Sequence, residues 1–210
     1  MSITNPCFIS YPHPKVAGSR LATFTEELAN ELGRLLDGFV PGTVYLDSQR
    51  LKPGYNYNVA LQQAICESAC MVVVYCPEYP QREYCRREFE LMERIDLRRR
   101  QVLGAAAGKY QFIIPVTLTP AGKLPKRLTA DLRDTADFSA YMALPAIGAK
   151  RFQRAPLLHK HVVHLSESIR ELHELLERRP GFGEGTSCCG EALAEFNGVP
   201  AWEAAAPFPR

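Results

Sequence analysis

The chain has 210 residues, of which 46% are hydrophobic and 23% are charged, and this is enough apolar material for one sizeable globular core. Its 25 basic and 23 acidic residues nearly cancel, so the net charge of +2 gives no case for a nucleic-acid or anionic-membrane partner. No apolar run reaches the length of a membrane span, and the start lacks a signal-peptide pattern. Seven cysteines without a C-x-x-C pair favour free thiols in a reducing cytoplasm over a disulfide framework or structural zinc.

Short apolar runs alternate with helical patterns along the first half of the chain. CFISY at 7–11 and TVYL at 43–46 predict strands, and apolar residues recur at helical spacing between them. The segment 47–55 predicts a loop, and a helix is expected from Tyr57 onward. MVVVYC at 71–76 is apolar on both faces, which is typical of a central strand in a parallel sheet covered on both sides.

The second half continues this alternation. A charged helix is expected over about 82–99, followed by the strand FIIPV at 112–116, whose proline indicates a strand end or a sheet edge. ADFSAY at 136–141 is the candidate for a short fifth strand. A long amphipathic helix follows, with apolar residues at Leu158, Val162, Leu165, Ile169, Leu172 and Leu176.

This succession of elements predicts an α/β fold, a flavodoxin-like, doubly wound sheet of five parallel strands in the order 2-1-3-4-5 with helices on both faces. We assign residues 1–179 to this domain. Residues 180–210, which include PGFGEGTSCCGE, are expected to form a mostly irregular C-terminal tail.

One acidic residue of the charged helix does not fit a solvated face. Pairs such as Glu83 and Arg87, four residues apart, explain ordinary exposed charges. The residues three and four positions from Glu88 are all uncharged: Tyr84, Cys85, Leu91 and Met92. Helical geometry therefore turns this carboxylate toward the body of the protein, where it is costly unless it faces a cleft or accepts hydrogen bonds. A glutamate that snorkels at the rim of a core helix would have the same pattern.

The predicted strand order adds weight to Glu88, because ligands of open α/β sheets bind beyond the carboxyl ends of the strands, where the winding direction reverses. Three segments would meet there: residues 10–14, residues 47–55 and the lead into the Glu88 helix. His13, in the first of them, is a candidate for contact with a substrate phosphate or base. Neither G-x-G-x-x-G after a strand nor a P-loop motif is present, so neither Rossmann hydride transfer nor P-loop NTPase chemistry is expected.

Two other clusters are weaker candidates. The histidines at 159, 161 and 164 have no carboxylate or cysteine with ligand spacing beside them, so we expect a solvated helix entry rather than a metal site. Cys85 has no histidine close in sequence, and we expect it to be a packed core residue rather than a nucleophile.

Three segments, in order and spacing, resemble the TIR domain. FISY at 8–11 is similar to the first-strand signature of this family, LDSQRLKPG at 46–54 to the loop after its second strand, and EYCRREF at 83–89 to its aromatic-Cys-x-x-Glu motif. The resemblance runs from about Cys7 to Tyr141, and the helix after it also fits. It implies a five-stranded parallel sheet wrapped by helices, in agreement with the pattern of elements.

Enzymatic TIR domains cleave NAD+ at the nicotinamide–ribose bond, and the essential glutamate of their third motif falls on Glu88. Tyr84 stands where that motif usually has tryptophan. The other positions that the resemblance places in a substrate pocket are Phe8, Ser10 and Tyr11 near its floor, Asp47 and Arg50 in the rim-shaping loop, and Tyr55 or Tyr57 as the aromatic residue after it. NAD+ is then the substrate, and neither a separate cofactor nor a metal is required.

The resemblance implies an NAD+ glycohydrolase or ADP-ribosyl cyclase that self-associates through TIR–TIR contacts. A short stand-alone TIR chain resembles bacterial anti-phage proteins, which either deplete NAD+ or convert it to an ADP-ribose-type signal for a separate effector. Water, an adenine nitrogen or another acceptor would each give a different product. The alternative is a non-catalytic interaction module that assembles through the 47–55 loop.

Overall fold

A five-stranded parallel sheet forms the centre of the protein, with the strand order β2-β1-β3-β4-β5. The computed structural model describes residues 3–14, 18–46, 57–119, 128, 135–143 and 151–178. The strands are β1 (Asn5–Ser10), β2 (Tyr45–Leu46), β3 (Ser68–Tyr75), β4 (Ile113–Thr117) and β5 (Ala136–Asp137). Both the number of strands and their order confirm the predicted doubly wound, flavodoxin-like sheet.

Helices connect and cover these strands. Those with bounds inside the described ranges are α1 (Arg20–Leu36), α2 (Tyr57–Cys66), α3 (Glu83–Leu103), the single turn α4 (Arg151–Arg154) and α5 (Pro156–Glu177), with 3₁₀ turns at Tyr79–Gln81, Gly104–Ala107 and Ser139–Ala143. The charged helix predicted over 82–99 is α3, which continues to Leu103. Within the described ranges, no helix is long and apolar enough to cross a membrane.

The two central strands are buried along their whole length. Every residue of β1 and of β3 is buried, and β3 pairs with β1 on one side and with β4 on the other. A strand that is covered on both faces cannot alternate apolar with polar residues, and this explains the unbroken run MVVVY in β3.

The helices that cover the sheet turn one apolar stripe inward. In α1 this stripe includes Phe24, Leu28 and Leu32, and all three side chains have no exposed surface. The side-chain oxygen of Ser19 accepts a hydrogen bond from the Ala22 N–H at 3.2 Å and caps the start of the helix. In α5 all six apolar residues that the sequence pattern singled out are buried.

Pro115 corrects one expectation, because β4 lies between β3 and β5 and is not an edge strand. The Leu118 N–H donates to the Tyr75 oxygen in β3 at 3.1 Å, so even-numbered positions of β4 bond to β3 and Pro115 turns its backbone toward β5. Among the described residues, strand β5 pairs with β4 at Val116 and Thr117. In this described part of the sheet, the missing N–H of Pro115 therefore removes no ladder bond.

Three predictions fall wholly or partly outside the described residues: the loop 47–55, the tail 180–210 and the domain boundary at 179. The cysteines within the described residues are all buried: Cys7, Cys66, Cys70, Cys76 and Cys85.

Candidate active site

Glu88 lies on the buried stripe of α3, and only 3% of its surface is exposed. Its Oε2 accepts a hydrogen bond of 2.6 Å from the hydroxyl of Ser10, the last residue of β1. The carboxylate therefore turns toward the body of the protein, as the helical pattern predicts, and it does not snorkel into solvent. It meets β1 at the carboxyl end of the sheet, beside the point where the order β2-β1-β3 reverses direction.

A second hydroxyl continues this network. The Tyr79 hydroxyl lies 2.7 Å from the Ser10 oxygen and 3.4 Å from the backbone oxygen of Cys85. Tyr79 belongs to the 3₁₀ turn between β3 and α3, and its side chain has no exposed surface. Sequence reasoning missed this residue. The signal that could have found it was an aromatic side chain between Pro77 and Pro80, in a connection that is otherwise polar.

Three aromatic side chains pack together beside Glu88, and two of them, His13 and Tyr84, are half-buried, whereas Tyr11 is buried. The His13 ring lies between Tyr11 and Tyr84, with centroid distances of 4.8 and 5.0 Å. The His13 backbone N–H donates to the Tyr84 hydroxyl and ties the segment after β1 to the start of α3. Tyr84 precedes Glu88 by one helical turn, so both side chains lie on the same side of α3. We name Tyr11, His13 and Tyr84 the aromatic surface.

Phe8 lies deeper than the aromatic surface. It is on the same face of β1 as Ser10, because side chains two positions apart in a strand share a face. Its ring is fully buried and stacks on Tyr45 of β2, with centroids 5.3 Å apart and planes at 16°. Phe8 therefore lies one layer below the polar network of Ser10 and Glu88.

The hydroxyl and thiol groups around Glu88 keep their protons at neutral pH. Burial raises the pKa of the Tyr79 phenol well above its ordinary value, and the nearby Cys85 and Glu88 raise it further. The pKa of Cys85 is also raised, first by burial and then by the charge of Glu88. Burial is likewise the main cause of the raised pKa of Tyr84. Cys85 has no exposed surface, so it is a core residue, as expected, and no thiolate nucleophile.

The structure brings together six of the predicted site residues. At the carboxyl end of the sheet Ser10 bonds to Glu88, and beside them His13 contacts Tyr11 and Tyr84. Phe8 lies below Ser10 on the same face of β1. Tyr57 is the first residue of α2, and its side chain is not described. The remaining predicted positions, Asp47, Arg50 and Tyr55, lie outside the described residues.

No metal centre is evident in the part of the chain that the structure describes, since no three His, Cys, Asp or Glu side chains are arranged to hold an ion. Of the three histidines at the start of α5, His161 packs against the ring of Phe138 at 5.5 Å, and His159 lies 3.8 Å from the carboxylate of Glu31.

Strand order and site together define a doubly wound α/β protein with a buried carboxylate where the winding direction reverses. The family model of the TIR domain matches residues 7–144, more than half of the chain. The chain therefore belongs to the TIR domain family. No curated protein matches the chain significantly.

Proposed function

We propose that this TIR domain protein cleaves NAD+ at the nicotinamide–ribose bond, as a glycohydrolase or an ADP-ribosyl cyclase, with Glu88 as the catalytic carboxylate. The observation that carries the proposal is the environment of Glu88. Its side chain is 3% exposed, it accepts a 2.6 Å hydrogen bond from Ser10, and the aromatic surface adjoins it. Two rings of this surface, those of His13 and Tyr84, are half-buried and therefore available to a flat ligand beside the carboxylate.

The chemistry requires one negative charge. The nicotinamide ring of NAD+ is cationic, so when the C1′–N bond breaks, its electron pair neutralises the ring nitrogen and no general acid is needed. The ribose C1′ is left with oxocarbenium character. A carboxylate stabilises this developing positive charge, and it does so more strongly where water is partly excluded. Addition of water at C1′, with loss of its proton, then gives ADP-ribose, whereas attack by an adenine nitrogen gives a cyclic product.

The aromatic surface is the proposed contact for a flat ring of the substrate. We propose that nicotinamide contacts the half-buried rings of Tyr84 and His13 when its ribose reaches the carboxylate of Glu88. Stacking on aromatic rings is tolerant of ring type, and tyrosine in place of the tryptophan usual in this motif keeps it with a smaller contact area. We propose Tyr11 as the residue that supports the His13 ring from behind.

The rest of the assignment is carried by the resemblance. We propose that Asp47 and Arg50 shape the rim of the pocket, and that Tyr55 or Tyr57 supplies a further aromatic contact. Self-association through TIR–TIR contacts, NAD+ as substrate without a separate cofactor, and a role in bacterial defence with an effector downstream belong to the same proposal.

The test compares two glutamates of one helix. The protein is incubated with NAD+ and nicotinamide release is measured for the wild type, Glu88→Gln and Glu93→Gln. Glu93 lies on the partly exposed side of α3, so its variant is a matched control. We expect Glu88→Gln to lower the rate at least about 100-fold, because an electrostatic stabiliser of the transition state is lost, and Glu93→Gln to keep it.

The assay is run on dilute protein and again with a crowding agent, because many TIR enzymes require an assembled site. Equal nicotinamide release from the wild type and Glu88→Gln contradicts the catalytic assignment. Absence of release under both conditions favours the non-catalytic interaction module instead. Mass spectrometry of the reaction mixture distinguishes ADP-ribose from a cyclic product.

A further inference from the structure

We propose that Tyr79 is a positioning residue that acts on Glu88 through the hydroxyl of Ser10. We name Tyr79, Ser10 and Glu88 the hydroxyl relay. Its catalytic meaning rests on the proposed function, but its physical basis does not. Ser10 is 1% exposed and Tyr79 is fully buried, so bulk water does not compete for their hydrogen bonds.

Counting hydrogens fixes the direction of the relay when Glu88 is ionised. A carboxylate only accepts, so the single hydroxyl hydrogen of Ser10 is donated to Glu88 Oε2 at 2.6 Å. Ser10 then has no hydrogen left for Tyr79. The 2.7 Å contact between their oxygens must therefore be donated by the Tyr79 hydroxyl. All the hydrogens point toward the carboxylate.

A proton on Oε2 of Glu88, the oxygen that faces Ser10, would reverse every hydrogen bond of the relay. Glu88 would donate to Ser10, Ser10 would donate to Tyr79, and the Tyr79 hydrogen would turn to the Cys85 oxygen. That acceptor is 3.4 Å away, beyond the usual range for O–H···O bonds, whereas the contact with Ser10 is 2.7 Å. The geometry therefore favours the direction in which Oε2 of Glu88 accepts from Ser10 and carries no proton.

Two contacts hold Tyr79 in place as a hydrogen-bond donor. Its backbone N–H bonds to the Cys76 oxygen at 2.9 Å, and its ring lies 6.3 Å from that of Tyr75. Because burial raises the pKa of the phenol, the hydrogen stays on Tyr79 at neutral and moderately alkaline pH.

Other described groups also face Glu88. They include the titratable side chains of Tyr84 and Cys85 from α3, besides Tyr79 from the turn before it. Ser10 faces it from β1, and His13 lies one ring farther out, beyond Tyr84. Among the described contacts of Ser10, Tyr79 is thus the group that donates to the Ser10 oxygen. The hydrogen of the Ser10 hydroxyl can then be donated to Glu88.

The test measures the pH profile of nicotinamide release. We expect Ser10→Ala to move the acidic limb up by about one pH unit, because the ionised carboxylate of Glu88 loses a charge-assisted donor. Tyr79→Phe should move the limb up by about half as much, because the Ser10 hydroxyl loses the hydrogen bond that orients it toward Glu88. The double variant should equal Ser10→Ala, since Tyr79 acts only through Ser10. Ser10→Thr keeps a hydroxyl and should restore the wild-type limb.

Tyr141→Phe is the matched control. The buried Tyr141 hydroxyl donates to the carboxylate of Glu27 at 2.9 Å, so this variant also loses a tyrosine–carboxylate bond, but not one to Glu88. It should lower the melting temperature about as much as Tyr79→Phe and leave the acidic limb in place. An equal shift of the limb in both tyrosine variants would overturn the relay.

A readout without catalysis separates this proposal from the proposed function. The ¹³Cδ resonance of Glu88, assigned by its loss in Glu88→Gln, is titrated in the wild type, Ser10→Ala and Tyr79→Phe. A midpoint that moves up in both variants supports the relay even if no variant releases nicotinamide. A midpoint that stays in place in folded Tyr79→Phe, or shifts that add fully in the double variant, would overturn it.

Discussion

Two charged residues share the buried stripe of α3, Glu88 and Arg99. They are eleven positions apart, which is three helical turns or about 16 Å along the axis, too far to pair with each other. Glu88 bonds to the carboxyl end of β1. Arg99 lies near the opposite end of the sheet, and its guanidinium donates to three backbone oxygens, those of Cys66, Ser68 and Ala69, at 2.7 to 3.1 Å. Each buried charge is stabilised by polar groups that other elements supply.

Arg99 provides a prediction for stability. Arg99→Met keeps the length and the helix propensity of the side chain but leaves three buried carbonyls without their donor, so we expect a loss of about 2–4 kcal/mol in the free energy of unfolding. Urea denaturation measures it. Arg98→Met is the control, because Arg98 is partly exposed, and its cost should stay below about 0.5 kcal/mol. Equal costs for the two variants would mean that the carbonyl contacts contribute nothing.

In the connection from α1 to β2, the backbone of one glycine lies directly against the backbone that leads into β1. Gly42 has a φ of +86°, and a Cβ placed on it would lie 1.7 Å from the backbone oxygen of Thr4, just before β1. Gly38, in the same connection, has a φ of +77°, but a Cβ placed there would meet nothing within 4 Å. Both glycines adopt the left-handed conformation, but only Gly42 lacks the space for a side chain.

This pair predicts two different costs for the same substitution. Gly38→Ala should destabilise the protein by about 1–2 kcal/mol, which is the cost of a left-handed alanine. Gly42→Ala carries that cost and must also displace the backbone before β1, so its loss in the free energy of unfolding should exceed that of Gly38→Ala by about 1 kcal/mol or more. Chemical denaturation of the two variants measures the difference. A smaller loss for Gly42→Ala would show that the contact with Thr4 is easily relaxed.

At the scale of the whole molecule, buried thiols link the stability of the core to pH. Burial raises the pKa of Cys7 well above its ordinary 9.0, and it raises the pKa of Cys70 and of Cys76 to about 12. Cys7 lies in β1, Cys70 in β3 and Cys76 directly after β3, so all three belong to the two central strands or their ends. When the chain unfolds, each thiol returns to an ordinary pKa and ionises more readily.

The sign of the effect follows from this difference. Below about pH 9 the thiols are protonated in both states and the folded state keeps its full stability. Above it the unfolded state loses protons first, so stability falls between pH 9 and about 12 by up to about 1.4 kcal/mol per pH unit for each thiol. Urea midpoints measured from pH 7 to 11 test this slope. Cys70→Ala should make it shallower, and an unchanged slope would contradict the contribution of Cys70.

Much of the fold followed from local patterns. The strands β1 and β3 and the helices α1 and α5 could be predicted because apolar periodicity is a property of neighbouring residues. Pro115 was misjudged as a sign of a strand end or an edge. The free-energy cost of a proline in a strand depends on whether the neighbouring strand bonds to the N–H that proline lacks. Here the described extent of β5 decides this, and the sequence around Pro115 does not show it.

The candidate site divides in the same way. Glu88 could be identified from the sequence because the uncharged residues around it are three and four positions away on one helix. Tyr79 was missed, because the sequence does not show which residue it bonds to: its partner Ser10 is 69 residues away, and Ser10 itself is 78 residues from Glu88. Nor does the sequence distinguish the buried Arg99 from the arginines on either side of it.

The sequence by itself determined the order of strands and helices, the family and the direction in which Glu88 points, since each of these depends on short-range spacing or on motifs read along the chain. Only the tertiary structure decided which groups meet that carboxylate, which arginine is buried and why a proline fits an interior strand. Those contacts join segments far apart in the chain, and they exist only where the packing of the sheet and its helices brings the segments together.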